Sequence, residues 1–590
     1  MSVTSIDPAA PSVSRSAETP RIRVWPAVIL LVVYWGAVLF IHNVEMAMLP
    51  RFIARCVTWL VTVPLFLGWW MLNWRVGWRD RLGAVGVLVL AIVVATMFSH
   101  STFRPVVFII GIPAAFTTWT IWLAISRRWR LRTRRIGFAF IVPLTLGFYL
   151  LFRGEGIDGA QRTTFQWRWT PSGEELFLAS KAESNSVTVP VPQREWTLRP
   201  DDWPAFRGPG RDGVVTGVSI ADDWLTAPPK LVWKQRVGPG WSSLIVVDGF
   251  LFTQEQRGED EAIVCHDAAT GKEVWTHLSA TRFNDAVSGP GPRATPTFHA
   301  GRIHALGANG LLTCVSADTG VLVWTKSIRT EAGANTPQWG YSTSPLVVDD
   351  RVIMFAGGDR GRSLLAFQEA TGDVVWARGT GTFSYSSPQL VELHGERLLL
   401  MQSNASIAGI RPTDGTMLWE RPSENIAEEA MIQPHLLQDD SLLISSGSGI
   451  ARIDVQFDGQ RWTTSDRWKS NSVKPDFSDV AIHDGRIYGL DDGILCCADL
   501  ETGRRLWKRG RYGHGQILLL ADQSRLLVAC ESGEIVLVAA NPEKLEELGR
   551  FQAIEGKSWN HPVIAEGRLF IRNGEEMACF ELPTNTASDL

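Results

Sequence analysis

Five strings in the second half of the chain share one spacing, and that spacing restricts the fold more than any other feature. They are Asp267-Ala-Ala-Thr-Gly271-Lys-Glu-Val-Trp275, Ala317-Asp-Thr-Gly320-Val-Leu-Val-Trp324, Glu369-Ala-Thr-Gly372-Asp-Val-Val-Trp376, Pro412-Thr-Asp-Gly415-Thr-Met-Leu-Trp419 and Leu500-Glu-Thr-Gly503-Arg-Arg-Leu-Trp507. In each, Trp stands four residues after Gly. A period of roughly 40 to 50 residues is that of a propeller or solenoid. Gly supplies the positive φ of a tight hairpin, and the β-rich run after it carries a Trp large enough to fill the wedge between neighbouring blades.

An apolar strand pair precedes each copy. The pairs start near Trp241, Ala294, Thr343, Ser387, Ile432, Asp479, Gly515 and Asn560, with degenerate copies after Asp454 and Asn541. The last start reaches only Met577-Ala-Cys-Phe-Glu, one strand short of a blade. Leu231-Val-Trp233-Lys-Gln-Arg, ahead of the first blade, is expected to supply that strand, which closes the ring and removes its free edges. The count fits an eight-bladed β-propeller. Cys265, Cys314 and Cys497 fall six residues before the repeat Gly, where Ala366 and Gly409 stand in other copies. That position wants a small buried residue, and equivalent strands of different blades lie too far apart for a disulfide. Free core thiols are expected, including the adjacent Cys496 and Cys497.

The first part of the chain follows a different rule. Five apolar stretches, Val24–Ile41, Val57–Trp74, Leu82–Phe98, Pro105–Ile125 and Ile136–Phe152, each approach the ~20 residues that cross a bilayer as a helix. A buried or re-entrant helix is the alternative for the third and fifth. Arginines crowd the N-terminal tail (Arg15, Arg21, Arg23), the second loop (Arg75, Arg79, Arg81) and the fourth (Arg127 to Arg135). Positive loops stay cytoplasmic, so the N-terminus is expected inside and everything after Phe152 outside. The expected organisation is a tail (1–23), an all-α five-helix transmembrane bundle (24–153), a linker with a short strand (154–202), an all-β propeller (203–582) and a short tail (583–590).

The net charge of -4 conceals a split, with 16 Arg against four acids in residues 1–153, so the remainder is strongly acidic. An acidic extracytoplasmic part has no electrostatic means of binding nucleic acid. Seven cysteines in 590 residues exclude a disulfide-dense scaffold, and zinc-site spacings are missing from the sequence, so no metal ligands are assigned. Serines are frequent, yet none sits in Gly-x-Ser-x-Gly.

The repeat Ala-x-Thr-Gly-x-x-x-Trp resembles that of the pyrroloquinoline quinone (PQQ) dehydrogenases and of the related non-enzymatic propeller that scaffolds outer-membrane protein assembly. Longer strings are similar to a family of bacterial PQQ-like-repeat propeller proteins: Asp202-Trp-Pro-Ala-Phe-Arg-Gly-Pro209, Phe252-Thr-Gln-Glu-Gln-Arg-Gly258, Trp339-Gly-Tyr-Ser342, Tyr488-Gly-Leu-Asp-Asp-Gly493, Gly510-Arg-Tyr-Gly-His-Gly-Gln516 and Trp559-Asn-His-Pro562. The resemblance covers about residues 154–582, and five spans before an outward-facing propeller resemble the layout of membrane-bound PQQ glucose dehydrogenase. It implies a place for PQQ with Ca²⁺ on the propeller axis. The chain departs from the dehydrogenases where their chemistry resides. Its Cys pair sits in a strand beside a repeat turn, and the dehydrogenases' metal ligands and catalytic Asp map onto no position.

Residues absent from equivalent positions in sister blades are the candidates for function. Just before the innermost strands stand Trp241, Arg293, Trp339, Tyr341, Tyr385, Arg511, His514, Lys557, Trp559 and His561. They are expected to converge on one funnel mouth, where aromatic faces and cations suit a flat anionic ligand such as PQQ. Inter-blade packing is the competing explanation. The long first hairpin, Gln254 to Glu261, is expected to be a solvated charged turn. Two functions stay open: an inner-membrane-anchored periplasmic binding or scaffold module for an envelope protein or small ligand, and a quinoprotein oxidoreductase that passes electrons from an alcohol or sugar to membrane quinone.

Overall fold

The computed structural model describes residues 22–44, 48–159, 163–183, 194–224, 226–285, 287–424, 432–447 and 449–584. The expected tails lie almost wholly outside the described residues. The chain forms two compact units, dividing after Glu155, with Thr163–Thr170 joining the first and Gly156–Arg162 the second.

The first unit contains five helices long and apolar enough to cross a membrane: Trp25–Asn43, Pro50–Met71, Trp78–Phe98, Arg104–Arg128 and Leu131–Leu151. Its interior is aromatic. The rings of Phe66 and Phe116 stack at 4.0 Å, and Trp70 meets Trp119 edge-on at 4.8 Å. Hydroxyls on the helices are satisfied locally, Thr117 and Thr120 each donating to the carbonyl four residues back at 2.8 Å. Such local satisfaction is what any helix that crosses a bilayer requires.

Residues 154–202 hold more than the expected linker. Phe152–Ile157 pairs with Thr163–Trp167, and a helix spans Gly173–Glu183. Ser172 and Glu175 cap that helix reciprocally, each side chain accepting the other's backbone N–H at 3.1 and 2.7 Å. Glu174 accepts the Gly258 N–H at 3.0 Å and pairs with Arg282 at 2.8 Å, while Phe177 is buried. The helix covers the first long hairpin, which corrects the expectation of a solvated turn. Glu255 is buried against Arg257 at 2.7 Å, and burial pushes the Glu261 carboxyl up to about 7.

The rest of the second unit holds the expected propeller of eight blades, each of four antiparallel strands, with a fifth strand added in parallel to one of them. The innermost strands of blades 1 to 8 are Ile245–Val247, Thr297–His299, Leu346–Val348, Gln389–Leu393, His435–Leu436, Ala481–His483, Gln516–Leu520 and Val563–Ala565. Lys230–Arg236 is the outer strand of blade 8, with Trp233 opposite Cys579. The ring closes as the sequence predicts.

The repeat works as a lock between consecutive blades. The Trp233 indole N–H donates to the Ala268 carbonyl at 3.0 Å, Trp275 to Ala317 at 2.9 Å, Trp324 to Glu369 at 2.8 Å and Trp376 to Pro412 at 3.0 Å. Each acceptor lies three residues before the next blade's repeat Gly. The indole covers that Gly so closely that a Cβ on Gly372 would stand 2.7 Å from the Trp324 ring. Positive φ, here 74°, and the lack of a Cβ are therefore both required. Within each blade the small residue six before Gly faces the Trp across the strand pair: Cys265 faces Trp275, Cys314 faces Trp324 and Ala366 faces Trp376. The cysteines are free thiols, and all but Cys56 are buried. Blade 4 breaks the pattern, since Trp419 packs on Gly409 of its own blade and its buried indole N–H finds no acceptor.

The axis is filled by the chain itself. Val214–Val215 pairs in parallel with the innermost strand of blade 7, on its channel side. Upstream, Trp203 bridges to Val246 of blade 1, the Pro204 carbonyl accepts the Phe298 N–H of blade 2 at 2.8 Å, and Phe206 meets His561 of blade 8 edge-on at 5.0 Å. Arg207 is buried in an ion pair with Asp479 at the start of blade 6, and Arg211 donates to the carbonyls of Pro345 and Ser344 at 2.9 and 3.2 Å. Gly213 leaves room for Arg207, since a Cβ there would stand 2.8 Å from the guanidinium. The stretch from Trp203 to Val215 is thus an axial plug touching blades 1, 2, 3, 6, 7 and 8.

Two predictions follow from these contacts. Gly372→Ala should lose about 2–4 kcal/mol through strain plus overlap with Trp324. Gly395→Ala, with φ of 79° but open space around it, should lose only about 1 kcal/mol. Denaturant unfolding of the full chain in detergent compares them, and equal losses would refute the lock. Asp479→Asn should cost about 3–5 kcal/mol by leaving Arg207 buried and unpaired, and adding Arg207→Met should recover most of it.

Candidate functional site

Every inner strand is entered from the same face of the ring, so the residues just before these strands collect around one mouth. Below it, neighbouring blades are stitched by short polar residues. The Ser243 N–H donates to Thr295 Oγ1 at 3.1 Å, Thr295 N–H to Ser344 Oγ at 3.0 Å, and Ser344 N–H to Ser387 Oγ at 2.9 Å. Ser243 Oγ donates to the His561 carbonyl at 2.6 Å, and Ser478 Oγ to the Gly515 carbonyl at 2.7 Å. This belt is the floor of the mouth.

Trp241, His514, Lys557 and Trp559 come together on that floor. The rings of Trp241 and Trp559 lie 4.8 Å apart, and Lys557 Nζ sits over both, 5.0 and 4.1 Å from their centroids. Trp559 also packs on Phe477 at 4.9 Å, and Phe477 stacks on His514 at 5.3 Å. Glu531 anchors the group, accepting the Trp559 indole N–H at 2.8 Å and the His514 backbone N–H at 3.1 Å. Asp476 lies 3.1 Å from His514 Nε2. Glu531 and Asp476 carry no periodic signal, and only the fold reveals them.

Arg293 continues the arc. It pairs with Asp285 at 2.7 Å, donates to Ser288 Oγ at 2.8 Å and to the Trp339 carbonyl at 3.1 Å, and stands 4.5 Å over the face of Phe283. The Trp241 indole N–H donates to the Ser288 carbonyl at 2.7 Å, so one loop ties Trp241 to Arg293. Trp339 then meets Tyr385 at 5.4 Å, and Tyr385 lines a cavity of about 180 Å³ with Asn335, Gln338 and Phe383. Three of the expected residues lie elsewhere. Tyr341 is core, its hydroxyl donating to the Ala356 carbonyl at 3.1 Å. Arg511 is exposed and reaches the Asp492 carbonyl at 3.4 Å, outside the cluster. His561 is buried under the mouth against the axial plug, and its Nδ1 lacks a partner.

The electrostatics separate these groups. Burial opposes charge on His514, but Asp476 and Glu531 outweigh it and push the imidazole up to about 9. Burial likewise opposes the Glu531 carboxylate, yet His514 and the Gly159 N–H hold it down to about 2. Burial draws Lys557 down to about 8 against the pull of Glu531, Asp158 and Asp285. His561, with burial and Arg207 both against its charge, falls to about 3. At neutral pH the mouth therefore holds cationic Lys557 and His514 beside aromatic faces, above a neutral His561.

Among the described residues one group has the composition of a metal site, His304, Cys314 and Glu369, between blades 2 and 3. Arg302 already pairs with Glu369 at 2.9 Å, and burial pushes the Cys314 thiol up to about 12. These residues act as an inter-blade buttress.

Residues 259–509 match a family model described as outer membrane protein assembly factor BamB. The blades are PQQ-like repeats. No curated protein is matched by the sequence. Solved structures similar to the chain include BamB from Moraxella catarrhalis, at 14% identity, covering 61% of this chain and 99% of that one with a TM-score of 0.44. A europium-containing methanol dehydrogenase gives 10% identity, 65% and 98% coverage and a TM-score of 0.40. A quinohemoprotein alcohol dehydrogenase from Comamonas testosteroni gives 11%, 70% and 85%, with a TM-score of 0.38.

The His514 shift predicts a pH response with a definite sign. Its folded pKa lies above the ordinary value of 6.5, so its contribution to stability is complete below about pH 6.5 and is lost as pH rises through about 9. The stability advantage of the natural chain over His514→Gln should therefore shrink between pH 7 and pH 9.5, read as the difference in their unfolding midpoints at each pH. Lys557, drawn down to about 8, carries the opposite sign, because losing its proton relieves the penalty of burying it; it is common to both proteins and cancels in that difference, and a difference independent of pH would assign the effect elsewhere.

Proposed function

We propose that this protein is a membrane-anchored, extracytoplasmic PQQ-like propeller that acts as a binding module, with its ligand or protein partner taken at the mouth. The observation that carries this reading is the convergence of Trp241, Trp559, Lys557, His514 and Glu531 from blades 1, 7 and 8 on one face. Stacked indoles and a half-buried cation recognise an anionic or carboxylate-bearing group by cation–π and charge-assisted contacts. The five apolar helices serve as the anchor in an inner membrane, with the propeller on the periplasmic side.

A PQQ-dependent oxidoreductase is the other function that the repeat suggests, and the residues of this chain fit it poorly. The axial space is crossed by Trp203 to Val215, Cys496 and Cys497 lie in a blade strand as free thiols, and the indoles of Trp241 and Trp559 already meet each other. The aromatic and cationic mouth remains its one point in favour, so PQQ with Ca²⁺ belongs in the test.

The experiment pairs two measurements on the full chain. Photocrosslinking residues placed in cells at the mouth, at Gln338 and Tyr385, should give discrete adducts that equivalent probes on the outer strands, at Leu322 and Leu506, do not. Indistinguishable patterns would sink the binding reading. Calorimetry with PQQ and Ca²⁺ should show no saturable heat. Micromolar binding abolished by Trp559→Ala would transfer the assignment to the oxidoreductase.

A further inference from the structure

The mouth is not bare. Gly156–Gly159, a segment belonging to no blade, lies against it. The Gly159 N–H donates to Glu531 Oε1 at 2.6 Å, and a Cβ at Gly159 would stand 2.1 Å from His514 Nδ1, overlapping the imidazole. A Cβ at Gly156 would stand 3.2 Å from Lys557 Nζ and 3.0 Å from the Val287 carbonyl. Only glycine fits at Gly159. Between the two glycines Asp158 is close enough to Lys557 to favour its charge.

Each contact is one that a bound peptide would make. A fixed carboxylate accepts a backbone N–H, an imidazole wall admits glycine alone, and a lysine held over two indoles faces an acidic side chain. Glu531 is itself positioned by the Trp559 indole N–H and the His514 backbone N–H, so the acceptor is preorganised. Of the charges at the mouth, Arg293 is paired with Asp285 and His514 with Asp476, and Lys557 is the cation on which the Asp158 charge acts.

We propose that the mouth is a recognition site for an extended acidic peptide segment carrying Asp-Gly, and that the chain's own Gly156–Gly159 segment is its resident occupant. The inference rests on the mouth being the binding site, and adds the class of partner and the fact of internal competition. A tethered occupant is present at roughly millimolar effective concentration, so a free peptide must displace it.

The test uses the full chain in detergent and a fluorescein-labelled Gly-Ile-Asp-Gly amide followed by anisotropy. Gly159→Val should expel the segment by collision with His514, and Asp158→Lys should expel it by repulsion from Lys557 without added bulk near the ring. Both variants should bind the probe roughly 10- to 100-fold more tightly than the natural chain, the factor expected when a tethered competitor is removed. Adding Lys557→Gln to Asp158→Lys should abolish that gain, and a probe with Lys in place of Asp should fail to bind. Equal affinity in the natural chain and both variants, or equal binding of the Lys probe, overturns the inference. If mouth-specific crosslinks persist while the peptide fails, this inference alone falls. If the crosslinks are lost as well, the binding reading falls with it.

Discussion

The contact between a tryptophan of one blade and a glycine of the next is what the rest of the propeller depends on. A blade alone is a small twisted sheet whose faces are both apolar, and it can bury them only against neighbours. The indole fills the wedge at the outer edge while its N–H ties to the neighbour's turn, so one residue supplies apolar area and a directed hydrogen bond together. Six such bonds occur among the described residues, from Trp233, Trp275, Trp324, Trp376, Trp468 and Trp507. Because the lock fixes the angle between blades, it also fixes where the inner strands begin and hence where the mouth residues meet.

The centre of the ring obeys a different economy. Apolar inner strands leave a channel that must hold water, a ligand or protein, and here the chain's own plug brings two arginines into it. Arg207 is matched by Asp479, whereas Arg211 rests on carbonyls, and burial with Arg207 nearby pulls its pKa down to about 9. Both arginines take left-handed backbone, φ 61° and 56°, a conformation that costs non-glycine residues of order 1 kcal/mol each. Such expense suits a segment whose task is to define the floor beneath the mouth.

The blades, their number and the closing strand were readable because they repeat. Eight strand starts and a displaced Trp233 carried the whole topology, and the small residue opposite each Trp was visible as Cys, Ala or Gly at one offset. The mouth was only half readable. Trp241, Trp559 and His514 were found by being exceptions to the repeat, but the same criterion admitted Tyr341, which turns into the core two residues after Trp339, and Arg511, which stays exposed. A position in a rim segment does not say which way its side chain faces. Glu531, Asp476 and the Gly156–Gly159 segment escaped notice because their roles arise from contacts between separate loops, 17 to 38 residues apart for Glu531 and Asp476 with His514 and Trp559 and 372 apart for Gly159 with Glu531, and Arg207 and Arg211 because a non-repeating string before the first blade carries no periodic signal.

The pairing of Lys230–Arg236 with Glu576–Glu581 has a consequence in time. During synthesis at about 5–20 residues per second, the early strand waits on the order of 20–70 seconds for its partner, with Trp233 and an unpaired edge available to any other strand. Seven blades can stack in order as they emerge, but the ring stays an open arc until the last strand arrives. The cell must shelter that arc, and a ribosome that stalls within the final blade would leave behind a nearly complete molecule with two adhesive ends.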